Sequence, residues 1–323
     1  MIDQKLSEEI YRMALDCGYD NCGILPITDL DIRKFETHLQ DRKAQIPESG
    51  VYFQWMTRFS EIQKLYPWAR SVVIGVTWLG KYRYPKSLQG KYAKTYMLSS
   101  HTAADSPERQ AKLRFEQWLT ERDIQFDGGY ERAPGYMLPL RHTAVQMGLG
   151  IFRENNFFYS ENGSFYELEG YLIDKECRYT HTCNLKPCPS HCMLCQKACK
   201  TCALSAPYTM NPTICVSHLN TFGQGILPSP IKEEQLSQWV CGCDDCQDAC
   251  PFNQHDWSQG KPFYGLEELE ELLQPENILK ATDEVLIEKV VPKTDKHILP
   301  ERVNVLRIAA DRSLRHLNAK LPG

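Results

Sequence analysis

Ten of the chain's 14 cysteines fall within 63 residues: Cys188, Cys192, Cys195, Cys199, Cys202, Cys215, Cys241, Cys243, Cys246 and Cys250. A C-x2-C-x3-C spacing occurs at Cys192, Cys195 and Cys199 and again at Cys243, Cys246 and Cys250, where Pro251 follows. Thiolates this close on a tight loop reach separate irons of one cubane, while the cysteine three residues further on points toward a neighbouring cluster. Each loop therefore needs a donor from elsewhere. Cys188, upstream of the first copy, and Cys215, between the copies, complete a set of eight, the number that two 4Fe-4S clusters require. The crossed pattern assigns Cys188, Cys192, Cys195 and Cys250 to one cluster and Cys199, Cys215, Cys243 and Cys246 to the other.

Paired structural zinc sites are the competing reading, since they also use C-x2-C pairs in sets of four. Zinc folds usually separate two such pairs by a longer spacer, and a third cysteine three residues on followed by proline favours iron and sulfur. The first copy is irregular. Cys188 and Cys192 have three residues between them, Cys183 is a rival donor, and Lys200 stands where the second copy has Pro251. Cys202 and Cys241 are extra thiols, expected as small side chains rather than ligands.

The remaining residues must build elements to hold these loops. In a chain of 323 residues there is room for one large or two medium domains. With 42% hydrophobic and 24% charged residues it has the profile of a folded globular protein. A net charge of −4 excludes a global positive field that would draw it onto nucleic acid or anionic membrane. No segment approaches the roughly 20 apolar residues needed to span a bilayer, and no basic stretch leads into an apolar run and cleavage site. A cytoplasmic location without membrane contact is expected. There, clustered cysteines point to metal or redox chemistry rather than disulfides.

Ser7 is expected to cap a helix carrying Ile10, Met13, Ala14 and Cys17, with a strand from Cys22 to Leu25 after it. Ser71 to Leu79 is apolar on both parities and β-branched, as in a strand covered on both faces of a mixed sheet flanked by helices. Ser106, Pro107 and Glu108 open a second amphipathic helix, and further strand signals lie from Ser164 to Ile173. After Asp174 the texture turns to Cys, Pro and short polar connections, where bound metal must replace an aliphatic core. From Leu266 helical texture returns, with Leu306, Ala309, Ala310 and Leu314. The expected organisation is α+β, with domains at residues 1–180, 181–260 and 261–323, the last a helical segment packing on the others.

Several stretches carry a family resemblance. ACKTCALSAPYTMNPTICVSHLNTF, running into CGCDDCQDACPFN, resembles the cluster domain of epoxyqueuosine reductases and their relatives, the reductive dehalogenases. Pro139 to Asp174 is similar to the family segment around an AGLG-type turn, and the opening ALDCGYDNCGI and LYPWARSVVIGVTW match in kind. The resemblance implies a nitroreductase-like α/β domain that binds cobalamin, followed by a ferredoxin-like domain with two 4Fe-4S clusters that reduce the cobalt. It also implies that Met147, Gly148, Leu149 and Gly150 pass close to the corrin, with Asn155 completing the cofactor site.

This sequence departs from the family in its acid. Counting back without gaps from Gly148, the family's D-x-x-P-x-x-E-R stretch puts Arg on Arg141, Glu on Leu140 and the proton-donating Asp on Pro134. The Lys of the following step is Glu154. A phenol, Tyr130 or Tyr136, beside Arg141 is the expected replacement, with Asp127 and Glu131 next. The resemblance implies an oxidoreductase that cleaves a small-molecule or modified-nucleoside substrate reductively, drawing on a low-potential donor such as ferredoxin or flavodoxin. The alternative is an iron-sulfur electron-transfer protein that reduces a corrinoid or other protein partner. Residues 62–104 contain no Asp or Glu but interleave seven Lys or Arg with seven Tyr or Trp. That pattern is compatible with tRNA, a nucleotide or the cobalamin tail, although the acidic remainder disfavours tRNA and a solvated rim is the commoner explanation.

Overall fold

The computed structural model describes residues 2–100, 105–129, 138–223, 225–294 and 298–319. The chain forms two compact units, Met1–Trp78 with Asp105–Ser190, and Leu79–Ala104 with His191–Gly323. In the first, strands β1 (Asn21–Pro26), β2 (Ser71–Trp78), β3 (Phe126–Gly128) and β6 (Tyr166–Ile173) make one sheet in the order β1-β2-β6-β3. Strands β4 (Ile151–Phe152) and β5 (Phe158–Tyr159) pair separately. Every pair in the four-stranded sheet is antiparallel, where a mixed sheet was expected.

Both faces of β2 are covered, which explains its unbroken apolar run. Val72, Ile74 and Val76 pack with Leu172, Ala144, Met147, Leu149 and Phe158 on one face. Val73 packs with Ile24, Tyr171, Phe115, Leu119, Ile10 and Ala14 on the other. The helices that cover this second face are α1 (Gln4–Asp16) and the helix Pro107–Glu121. Ser106 caps the latter as expected, its Oγ accepting from the Arg109 N–H at 3.1 Å. Helix α1 is capped four residues earlier than expected. Asp3 accepts from the Leu6 N–H at 2.9 Å, and Ser7 is buried in the first turn, where its Oγ accepts from the Arg178 N–H at 3.0 Å.

The division differs from the expected domains. The first unit continues to Ser190, and the C-terminal helices belong to the same unit as the cysteine-rich region. Leu79–Ala104 joins that second unit because three of its four tyrosines are core residues, Tyr96 alone being half-buried. Tyr82, Tyr84 and Tyr92 are buried. The Tyr84 hydroxyl donates to the Tyr92 carbonyl at 2.9 Å and that of Tyr92 to the Leu273 carbonyl at 2.8 Å. Rings held this way are not free to stack on bases. At the far end, the helix Asn304–Asn318 is fastened by Arg312, which donates to Asn220 Oδ1 at 2.6 Å and to the Trp239 carbonyl at 2.7 Å.

One charged cluster lies inside the first unit. Lys112 Nζ donates to Thr77 Oγ1 at 2.5 Å and stands 3.3 Å from Glu169 Oε2, both side chains being about 3% exposed. The Tyr19 hydroxyl bonds Glu169 and lies 2.6 Å from that of Tyr171. Gly75 leaves room for the Tyr19 ring, whose Cε1 would stand 2.3 Å from a Cβ there. Breaking a buried pair from one side strands the other charge. Lys112→Met is therefore expected to cost about 3–5 kcal/mol of first-unit stability, and Lys112→Met with Glu169→Leu much less. Denaturant unfolding of the two variants checks this, and equal losses would contradict it.

Candidate functional site

In the second unit, two one-turn helices, Leu194–Ala198 and Asp245–Asp248, carry Cys195 and Cys246 and pack against each other. Cys215 is the N-cap residue of the helix Val216–Thr221. Burial pushes the Cys246 thiol well above its ordinary range, and Cys215, Cys199, Asp244 and Cys195 push it further in that order. Cys215 is raised by burial and then by Cys199. Cys243 is raised by burial, then by Asp245, Cys246 and Cys215. Cys199, Cys215, Cys243 and Cys246 thus share one neighbourhood, the set that the crossed spacing groups around one cluster, and Cys195 reaches it from the adjoining loop.

None of these cysteines forms a disulfide. Among the described residues, no three or more His, Cys, Asp or Glu side chains are grouped tightly enough to hold a single metal ion. A cubane is gripped at separate irons, so its ligands stand further apart than those of one ion. Four half-buried cysteines in one neighbourhood are suitable donors for such a cluster. Cys192, Cys195 and Cys250 lie in the same unit, while Cys188 is near the end of the first, with Arg153 Nη1 directed at its sulfur from 4.0 Å. Cys183 is half-buried, Cys202 exposed and Cys241 buried.

The helix Leu140–Gln146 ends in the turn expected at the cofactor. Its glycines are explained by the chain itself. Gly148 has φ +74°, and a Cβ there would lie 1.9 Å from the His181 carbonyl oxygen; at Gly150 a Cβ would lie 2.1 Å from that of Tyr159. Met147 and Leu149 are core side chains. Asn155 spends its side chain on the β4–β5 turn, donating to the Tyr159 hydroxyl at 2.7 Å and accepting from the Phe157 N–H at 3.3 Å. Tyr130 and Tyr136, like Glu131 and Pro134, lie outside the described residues. Asp127 is on β3, where its Oδ1 accepts from the Gly128 N–H at 2.8 Å.

Arg141 lines a cavity of about 350 Å³ between the sheet, this helix and α2 (Ile32–Gln45). Phe35, Leu39, Leu138, Leu140, Phe157 and Phe158 make most of its wall, and Arg42, Arg141, His38 and His142 supply its polar groups. Arg141 Nη1 donates to the Asn156 carbonyl. The His38 and His142 rings are 5.1 Å apart. Burial, then His38, Arg141, Arg42 and Lys34, lower His142 to about 3, and burial, Arg42 and Arg141 lower His38. Both imidazoles are neutral near pH 7. The histidines and Arg42 escaped the sequence reading; His38 and Arg42 stand one helical turn apart, the one available signal.

A family model described as a 4Fe-4S double cluster binding domain matches residues 188–253. The epoxyqueuosine reductase of Cyclobacterium marinum is 32% identical over 255 residues, covering 77% of this chain and 80% of that one. That of Cellulophaga algicola is 28% identical over 187 residues, covering 56% of this chain and 58% of that relative's length. The fold is similar to that of an epoxyqueuosine reductase crystallised with a tRNA-Tyr epoxyqueuosine-modified tRNA stem loop, at a TM-score of 0.69 and 21% identity over 98% of this chain and 82% of that one. Fold and cysteine region define an iron-sulfur oxidoreductase. The chain belongs to the epoxyqueuosine reductase family.

Two outcomes follow from the site. Because His142 stays neutral in the folded protein but takes a proton below about pH 6.5 when unfolded, stability is lost as pH falls from there toward 3. Between pH 6.5 and 5.5, wild type should lose about 1 kcal/mol more than His142→Phe, measured by denaturant unfolding; parallel profiles would contradict the neutral imidazole. Cys246→Ala should remove one cluster's worth of iron and lower the second unit's thermal stability, as read by iron assay and melting. Full iron content and an unchanged melt would remove Cys246 from the ligand set.

Proposed function

We propose that the chain is a cobalamin-dependent reductase with two 4Fe-4S clusters, acting on a modified nucleoside. The observation that carries this reading is the shared neighbourhood of Cys199, Cys215, Cys243 and Cys246 in a chain of this family. A low-potential ferredoxin or flavodoxin is the proposed electron donor, and Cys188, Cys192, Cys195 and Cys250 are the proposed ligands of the other cluster. The substrate class rests on the family and on the relative crystallised with a modified tRNA stem loop.

Bound cobalamin would supply a metal centre that can be driven to a low-valent nucleophile for reductive bond cleavage. The first unit offers donors suited to its nucleotide tail. Phe35, Leu39, Phe157 and Phe158 would enclose the aromatic base, while Arg42 and Arg141 would bind the phosphate. With both histidines neutral, these two guanidiniums are the cations of the cavity. The turn from Met147 to Gly150 would meet the cofactor through backbone alone, since its side chains are core and its glycines are closed against the chain. Asn155 would act by keeping the β4–β5 turn in shape. Proton delivery is assigned to Tyr130 or Tyr136, with Arg141 lowering the phenol's pKa. Pro134, at the family's acid position, is the observation that favours the second reading, an electron-transfer protein that reduces a corrinoid or other partner.

Titration of the cluster-loaded protein with cob(II)alamin, followed by electron paramagnetic resonance of the cobalt, tests the reading. Binding at micromolar concentration, with a perturbed cobalt signal, is expected. Cobinamide, which lacks the nucleotide tail, should bind at least about tenfold more weakly, as should cobalamin to Arg141→Ala. No binding of cobalamin would sink the cofactor assignment, and a cluster-loaded protein that still reduces a corrinoid partner would then support the second reading. Equal affinities for the two corrins would sink the cavity's role.

A further inference from the structure

The second unit contains a buried cation that is not part of the cluster ligand set. Lys94, from Leu79–Ala104, has a side chain 3% exposed. Its backbone N–H and its Nζ both donate to Asp244 Oδ2, at 2.9 and 3.2 Å. Nζ also donates to the two carboxylate oxygens of Asp248, at 2.8 and 3.0 Å. The Trp257 ring centroid is 5.3 Å from the ammonium. Asp244 is 2% exposed and Asp248 is 44% exposed.

Both acids lie inside the Cys243–Cys250 spacing, and the charge of Asp244 is felt at Cys246. The surrounding backbone is fastened to the same segment. The Val240 N–H donates to the Lys91 carbonyl at 2.7 Å and the Ala93 N–H to the Cys241 carbonyl at 2.9 Å. A Cβ on Gly242 would stand 2.3 Å from that of Ala93. Desolvating an ammonium is costly, and an ion pair does not always recover that cost. A buried charge is poorly screened and acts strongly on its surroundings.

A cluster gains one negative charge on reduction, so a fixed cation nearby favours the reduced form and a carboxylate opposes it. We propose that Lys94 tunes the reduction potential of the cluster held by Cys243 and Cys246, offsetting Asp244 and Asp248 so that the cluster accepts an electron from a low-potential donor. Lys94 is a positioning and tuning residue; one electron enters the cluster and no proton or bond change accompanies it. The inference rests on the cluster reading above.

The test is a redox titration of anaerobically reconstituted protein, monitored by electron paramagnetic resonance, after iron and sulfide have been measured in each sample. Lys94→Met should lower one of the two midpoint potentials by about the amount that changes the reduced-to-oxidised ratio tenfold, 59 mV for one electron. The other cluster should move less. Asp248→Asn, on the exposed side of the group, should move the same cluster in the opposite direction, and Lys94→Arg should match wild type. Unchanged potentials in fully loaded Lys94→Met overturn the proposal. Shifts of the same sign in Lys94→Met and Asp248→Asn also overturn it, because packing rather than charge would then be responsible. Should Lys94→Met fail to take up iron, Asp248→Asn decides: an upward shift supports the proposal and no shift overturns it. A wild type without iron would instead sink the cluster reading itself, which the iron assay distinguishes.

Discussion

Several thiols held at close quarters in a buried site are the constraint on which the second unit depends. Desolvation raises Cys215, Cys243 and Cys246, and each is raised again by neighbouring thiols. Ionising them together without a metal is costly, because each thiolate meets the others in a medium that screens poorly. Iron in a cubane removes that conflict by drawing charge from every corner. The helices that carry the cysteines are one or two turns long, and Val216, Leu219, Leu236 and Trp239 form a small apolar cluster beside them.

Two distant parts of the sequence complete that unit. Leu79–Ala104 supplies the buried tyrosines and Lys94, and the C-terminal helix supplies Arg312, lowered to about 10 by burial and tied to the loops at Asn220 and Trp239. The first unit is built in the ordinary way, from an antiparallel sheet with an apolar core on each face. Its distinctive features are internal polar groups: a Lys112–Glu169–Tyr19 cluster on one side and, on the other, a cavity that sets two guanidiniums beside two neutral histidines.

Much of this was legible in the sequence because its signals are local. Cysteine spacing gave the double-cluster region, and the family model matches from Cys188 onward. The two-faced strand Ser71–Trp78 and the Ser106 cap follow from short-range rules and are where those rules put them. What failed was non-local. A run of Lys and Tyr reads as a wet rim until the structure shows Tyr92 bonded to Leu273, 181 residues away. That Gly148 and Gly150 make room for the carbonyls of His181 and Tyr159 is likewise visible only in three dimensions. His38 and His142 meet only in three dimensions, so neither signalled the cavity.

Iron and acid-labile sulfide, measured per chain after anaerobic reconstitution, bear most directly on the claim that clusters organise the second unit. About eight of each are expected, four for each of two cubanes. Stoichiometric zinc with no sulfide would contradict it.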